Sequence, residues 1–203
     1  MIENCTAVIM AGGNSRRMGQ DKAGLRLGNQ TLLQSVSAVM QHLFPQVLIS
    51  VRQRRGESNL PQVCDTLADG GPLAGLEAAL GAVATPWVFV VACDMPFVSP
   101  AVVNNLARQR GEYQAVVPMV GGQPQPLAAF YARTCADEAR AILAGNGKHS
   151  LRALLSRLDV CYVDAAELLA DDPQLRSFID LDTPEDFSAA SSQQERKQWN
   201  ICR

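Results

Sequence analysis

No apolar run in this 203-residue chain approaches the roughly 20 residues that a membrane-crossing helix needs, so no membrane partner is expected. The opening Met1-Ile2-Glu3-Asn4 lacks the basic stretch of a secretory leader, and the apolar run after it is short. The six cysteines (Cys5, Cys64, Cys93, Cys135, Cys161, Cys202) form no Cys-x-x-Cys pair and fit reduced thiols in a cytoplasmic protein. Net charge is small: 18 Lys and Arg against 20 Asp and Glu leave −2, which argues against a nucleic-acid-coating surface but leaves room for a local basic pocket. No His/Ser/Asp or Cys/His triad can be picked out, and His149 has no carboxylate or cysteine partner at metal spacing. Neither an internal repeat nor an interdomain linker interrupts the chain. One domain over 1–190 is expected, then a Ser/Gln-rich and charged tail, 191–203, whose Trp199 and Ile201 fit packing on the body or on a second subunit.

Apolar runs alternate with helical patterns, the sequence form of a parallel α/β sheet. Strands are predicted at Thr6–Met10, Val47–Val51, Trp87–Ala92, Ala115–Pro118, Leu127–Tyr131 and Val160–Val163. Helices are predicted at Leu32–Leu43, Leu73–Val83, Pro100–Arg110, Cys135–Leu143 and Leu151–Leu158, where leucine and alanine recur at three- and four-residue spacings. The polar stretch Arg52–Pro61 reads as a loop. The expectation is a three-layer, Rossmann-like, mostly parallel sheet with helices on both faces.

The first strand runs into Ala11-Gly12-Gly13-Asn14-Ser15-Arg16-Arg17-Met18-Gly19-Gln20-Asp21-Lys22, a loop with three glycines, two arginines and a lysine. Glycine lets backbone N–H groups approach a ligand, successive N–H groups form an anion site, and the cations suit phosphate. The P-loop is excluded because Lys22 does not follow a glycine and Ala23 stands where Ser or Thr would be needed. The dinucleotide glycine spacing is absent too. An ordinary glycine-rich βα turn with surface cations is the bland alternative.

The spacing Gly-Gly-x-x-x-Arg-Met-Gly-x-x-Lys resembles the signature of nucleotidyltransferases, and within them the chain is similar to the molybdenum cofactor guanylyltransferases from Val8 to about Phe187. The resemblance implies a fold of the nucleotide-diphospho-sugar transferase type. It also implies nucleotide contacts at Met10, Ala11, Gly12, Gly13, Lys22, Ser50, Asp65 and Asp94, with Lys22, Arg17 and Asp94 in catalytic roles.

Asp94 ends the wholly apolar Trp87–Ala92 run, at the strand end where open α/β sheets bind ligands. A carboxylate there suits Mg²⁺, although an aspartate before Met95-Pro96 also starts a turn readily. The resemblance makes Asp94, in its Cys-Asp-x-Pro setting, the principal magnesium ligand. Gly70-Gly71-Pro72 breaks the chain before a helix whose free N–H groups and dipole favour an anion or a carbonyl, though an ordinary helix entrance explains it also. From the resemblance, Asp65 contacts guanosine, and Gly71, Leu73, Ala74 and Gly75 line the acceptor side, with Gln125 a weaker candidate there. Asp69 reads as a helix N-terminal residue.

Asp182-Thr183-Pro184-Glu185 has the form of a helix start, and the alternation Asp180-x-Asp182 places both carboxylates on one face of a short strand. The resemblance brings this motif back to the metal. Both positions are Asp here where the guanylyltransferases carry Asn, so either of Asp180 and Asp182 is a metal candidate beside Asp94. Gly145–Arg152 is a glycine-rich basic loop that fits a pterin phosphate, and equally an N-cap at Ser150.

The implied reaction is Mg²⁺-dependent transfer of GMP from GTP to the terminal phosphate of molybdopterin, with handover to molybdoenzymes or their chaperones. Two sibling chemistries share the loop signature: cytidylyl transfer to the same cofactor, and nucleotidyl transfer to a sugar or alditol phosphate. Ala11-Gly12-Gly13 and Asp65 favour guanine. A nucleotide-binding protein without turnover is the non-enzymatic rival, opposed by the charged set Arg17, Lys22, Asp94 and Asp182.

Overall fold

Strand β1 (Cys5–Met10) is the axis of the sheet, pairing in parallel on both sides, with β4 (Gln46–Val51) and β6 (Trp87–Ala92). The computed structural model describes residues 1–12, 22–56, 58–65, 67, 70–183 and 185–191. The expectations for Gly13, Arg17, Asp69, Trp199 and Ile201 lie outside them.

Beyond β4 comes β5 (Gln62–Cys64), and on the other flank β9 (Ala128–Ala132), β7 (Ala115–Val120) and β10 (Val160–Asp164), giving the order β10-β7-β9-β6-β1-β4-β5. Strand β9 is antiparallel to both neighbours, whereas β10 runs parallel to β7. A short β8 (Gln123–Pro124) folds back on β7 through Gly121 and Gly122, whose φ values of 56° and 72° suit a hairpin turn that other residues resist. β2 (Arg26–Leu27) and β3 (Gln30–Thr31) form a separate small hairpin.

Side-chain alternation along the strands splits the core into two layers. Ala7, Ile9, Phe89, Val91 and Phe130 face one way, against α1 (Leu32–Leu43) and α3 (Pro100–Arg108). Val8, Val88, Val90, Ala129 and Tyr131 face the other, against α2 (Gly71–Ala82), α4 (Cys135–Ala144) and α5 (Leu151–Leu155). Burial on both faces is why these strands are apolar throughout. The Phe89 ring stacks on Phe44 at 5.6 Å and tilts against Phe130 at 4.8 Å. A four-residue helix α6 (Ala165–Leu168) follows β10, and residues 185–191 are helical.

Most expected elements stand within a residue or two of their sequence limits, and α1 coincides with its range because Thr31 and Gln34 form a reciprocal N-terminal cap. α5 is a correction: it stops at Leu155, and Leu158 belongs to the turns that follow. So is the strand through Asp180 and Asp182. The chain there makes a 3₁₀ turn, Arg176–Phe178, and then runs without a ladder partner. Among the described residues, no helix is long and apolar enough to cross a membrane.

Candidate active site

The C-terminal ends of β1, β4 and β6 lie side by side, and main-chain bonds carry their alignment into the loops. Ala11 N donates to Ser50 O at 2.9 Å, Cys93 N donates to Met10 O at 3.1 Å, and Asp65 N donates to Val51 O at 3.2 Å. These loops border a cleft of about 400 Å³ lined by Met10, Ala11, Gly12, Lys22, Ser50, Asp65, Gly71, Asp94 and Asp182, nine of the residues singled out from sequence.

Lys22 opens a 3₁₀ turn, Lys22–Gly24, that directs its side chain into the cleft. Its Nζ donates to Asp94 Oδ2 at 2.8 Å and also to Asp182 Oδ1. Lys22 and Asp94 side chains are 15% and 16% exposed, so this contact is sheltered from much of the screening that weakens surface ion pairs. Burial works against the Lys22 ammonium, yet bonds to Asp182 and Asp94 outweigh it and hold its pKa above the ordinary lysine value.

Asp182 reaches this point because Leu181, buried at 1% exposure, donates its N–H to Asp94 O at 2.9 Å. The helix over 185–191 is capped by Thr183, not Asp182. Thr183 Oγ1 accepts from Asp186 N at 3.2 Å, and Asp186 Oδ2 accepts from Thr183 N at 2.9 Å and from Thr183 Oγ1 at 2.7 Å. The Asp182 carboxylate is directed instead at Lys22 in the cleft. Asp180 is exposed, and burial of part of its carboxyl with the charge of Asp182 beside it raises its pKa above the usual aspartate value.

Asp94 and Asp182 therefore meet at one cation, the Lys22 ammonium. Two carboxylates lining one cleft fit Mg²⁺, which takes one or two carboxylates and completes its shell with substrate phosphate and water. No group of three acidic, histidine or cysteine ligands occurs among the described residues.

At the other end of the cleft, Ser50 Oγ donates to Asp65 Oδ1 at 3.5 Å. Partial burial raises the Asp65 carboxyl, with the positive charge of Arg52 and the Ser50 hydroxyl pulling the other way. Gly75 makes this corner possible: a Cβ there would stand 2.5 Å from Ser50 Oγ and 2.7 Å from Met10 Cε. Gly71, at φ 58°, turns the chain into α2 at the cleft wall.

Of the acceptor-side candidates, Gly71 alone lines this cleft. Leu73, Ala74 and Gly75 lie within α2, with Leu73 and Ala74 0% and 1% exposed, so they support the cleft from beneath and do not line it. Gln125 also stands outside the lining: its N–H donates to Pro118 O at 2.8 Å and its side chain to Gln123 O at 3.4 Å. Ser150 caps α5 by accepting from Ala153 N at 3.2 Å. Sequence reading passed over Arg52, a cleft residue, because it sits at the edge of a polar loop. Its place directly after β4, beside the Ala11 turn that follows β1, was the available signal.

Residues 7–161 match the family model described as the MobA-like NTP transferase domain. A probable molybdenum cofactor guanylyltransferase from Pelotomaculum thermopropionicum is 37% identical over 189 residues, spanning 91% of each chain. A molybdenum cofactor guanylyltransferase from Syntrophotalea carbinolica is 32% identical over 186 residues, 90% of this chain and 88% of that one. Among solved structures, molybdopterin-guanine dinucleotide biosynthesis protein A from Archaeoglobus fulgidus is similar with a TM-score of 0.83 at 30% identity, covering 94% of this chain and 99% of its own. With the family model matched over most of its length and relatives 37% and 32% identical across nine-tenths of it, this chain belongs to the MobA-like NTP transferase family.

Proposed function

We propose that the chain transfers the GMP unit of GTP to the terminal phosphate of molybdopterin and releases pyrophosphate. The observation that carries the reading is the convergence of Lys22, Asp94 and Asp182 in one cleft, in a chain closely related to molybdenum cofactor guanylyltransferases. An oxygen of the acceptor phosphate forms a bond to the α-phosphorus, and the bond from that phosphorus to the pyrophosphate oxygen breaks. The attacking oxygen is already anionic near neutral pH, so no general base is required. Alignment and charge neutralisation are the work left to the protein.

Lys22 supplies positive charge to the triphosphate, and the Gly12 turn offers main-chain N–H groups without a Cβ in the way. Arg17 and Gly13, in the same Gly-Gly-x-x-x-Arg-Met-Gly-x-x-Lys motif, are assigned the same roles on the family resemblance. Asp94 and Asp182 would hold Mg²⁺, which when bound neutralises phosphate charge. Asp65 selects guanine, because a carboxylate accepts from the adjacent N–H donors on that base edge, an arrangement cytosine lacks. The product passes to molybdoenzymes or their chaperones in the cytoplasm.

The test is pyrophosphate release with each of the four triphosphates and purified molybdopterin, with the product identified by mass. Turnover with GTP alone is expected. Turnover with CTP instead, or silence with every triphosphate although one binds, overturns the reading.

A further inference from the structure

The segments that carry Asp94 and Asp182 are fastened together by more than the bond between Leu181 and Asp94. Ser99, five residues past Asp94, donates its N–H to Ser177 Oγ at 2.9 Å, and its own hydroxyl reaches Asp171 O at 3.5 Å. The Arg176 guanidinium lies 4.4 Å from the centroid of the Phe97 ring. Behind these contacts sits Asp172, whose Oδ2 accepts from Ser177 N at 2.7 Å and from Ser177 Oγ at 2.7 Å. Asp172 is 8% exposed and Ser177 1%, so both polar groups are buried and satisfied by one another. A buried carboxylate is costly unless it is well bonded, and here its bonds fix one 3₁₀ turn, Arg176–Phe178.

Leu181 follows Ser177 by four positions, and Ser99 follows Asp94 by five. The Ser99–Ser177 bond and the Leu181–Asp94 bond thus tie the two segments together at two points, with Asp182 next after the second of them and lining the cleft. We propose that Asp172 and Ser177 are positioning residues, which hold the 176–182 segment so that the Asp182 carboxylate meets Lys22 and Asp94. The inference rests on the guanylyl-transfer reading for its assay but on the buried network for its content. Neither residue touches the cleft.

The test measures kcat and KM for GTP in Asp172→Ala, Asp172→Asn, Ser177→Ala and Asp182→Ala, and in the pair Asp172→Ala with Asp182→Ala. A misplacement of the reacting geometry by about 1 Å costs up to about 100-fold, so Asp172→Ala and Ser177→Ala are expected to lower kcat at least about tenfold while KM for GTP changes little. Asp172→Asn keeps an acceptor oxygen for Ser177 and recovers most of that loss. In the Asp182→Ala background, Asp172→Ala adds no further loss, because its effect passes through Asp182. A general destabilisation would instead add fully to the Asp182→Ala defect.

Folded Asp172→Ala and Ser177→Ala proteins with kcat within about twofold of the native enzyme overturn the proposal, as do additive effects in the double variant. If Asp172→Ala does not fold, Ser177→Ala alone and combined with Asp182→Ala decides by the same criteria. Native protein without guanylyl transfer refutes the functional reading itself, a result distinct from either of these.

Discussion

Lys22 Nζ stands 2.8 Å from Asp94 Oδ2 across 72 residues of chain, and the same nitrogen bonds to Asp182. One ammonium thus satisfies two carboxylates that would otherwise repel each other at the edge of the cleft. Under the proposed reaction Lys22 has two duties: neutralising the acids before substrate binds and meeting phosphate charge afterwards.

Lys22→Ala and Asp94→Ala are each expected to reduce kcat by roughly 10²–10³, the usual effect of losing one electrostatic stabiliser. Lys22→Ala also leaves two neighbouring carboxylates without their shared cation, so its melting temperature falls at low ionic strength and recovers in part with added Mg²⁺. Pyrophosphate release and thermal melts measure both effects. Near-native turnover in both folded variants would remove the cleft's chemical assignment.

Asp182 and Asp180 are expected to separate in their effects. Asp182 touches Lys22, whereas Asp180 is exposed and influences the cleft only through its charge. Asp182→Ala should lower kcat by about 10²-fold and raise the Mg²⁺ concentration needed for half-maximal rate, with a much smaller change for Asp180→Ala. Chelation of divalent cations should stop turnover and Mg²⁺ should restore it. The reverse order of the two variants would make Asp180 the ligand.

At Gly75 two effects compete. Alanine is favoured over glycine inside a helix by up to about 1 kcal/mol. Against that, its Cβ would overlap Ser50 Oγ at 2.5 Å and Met10 Cε at 2.7 Å, and overpacking of this kind costs about 1–3 kcal/mol. Gly75→Ala should therefore lose stability in urea denaturation and bind GTP more weakly, because Ser50 and Asp65 are displaced together. Unchanged affinity would show that the Ser50–Asp65 corner does not bear on the nucleotide.

Asp172 gives a pH signature. Burial alone would raise its carboxyl, but the two bonds from Ser177 prevail and hold it below the ordinary aspartate value. A depressed folded-state pKa contributes stability above the unfolded value, and that contribution is lost as pH falls through the folded value. The stability gap between native protein and Asp172→Asn should thus be present near neutral pH and shrink below about pH 4. A gap independent of pH would mean that the charge on Asp172 contributes nothing.

The sheet and its helices were legible because burial on both faces writes long apolar strands and regular helix stripes. The direction of β9 was not, since a strand covered on both sides has the same composition whichever way it runs. β5 escaped notice because a three-residue edge strand, half-buried, carries almost no pattern. The convergence of Lys22 and Asp94 followed from the family resemblance and from their following β1 and β6, two apolar strands expected in one parallel sheet. The alternation of Asp180 and Asp182 misled because two residues of spacing indicate a shared face only where a ladder exists. Gly75 was read as a wall of the cleft, but its lack of a side chain serves the packing of α2 on β1 and β4.

Lys22, Asp94 and Asp182 emerge from the ribosome far apart, Asp182 lying 160 positions after Lys22. A nascent chain can lay down its first strands and seat Lys22 beside Asp94 while the acid that completes the set has yet to be translated. A product that ends between Asp164 and Asp182 holds every strand of the sheet and still lacks the second carboxylate, so the proposed activity waits on the last part of the polypeptide although the sheet does not.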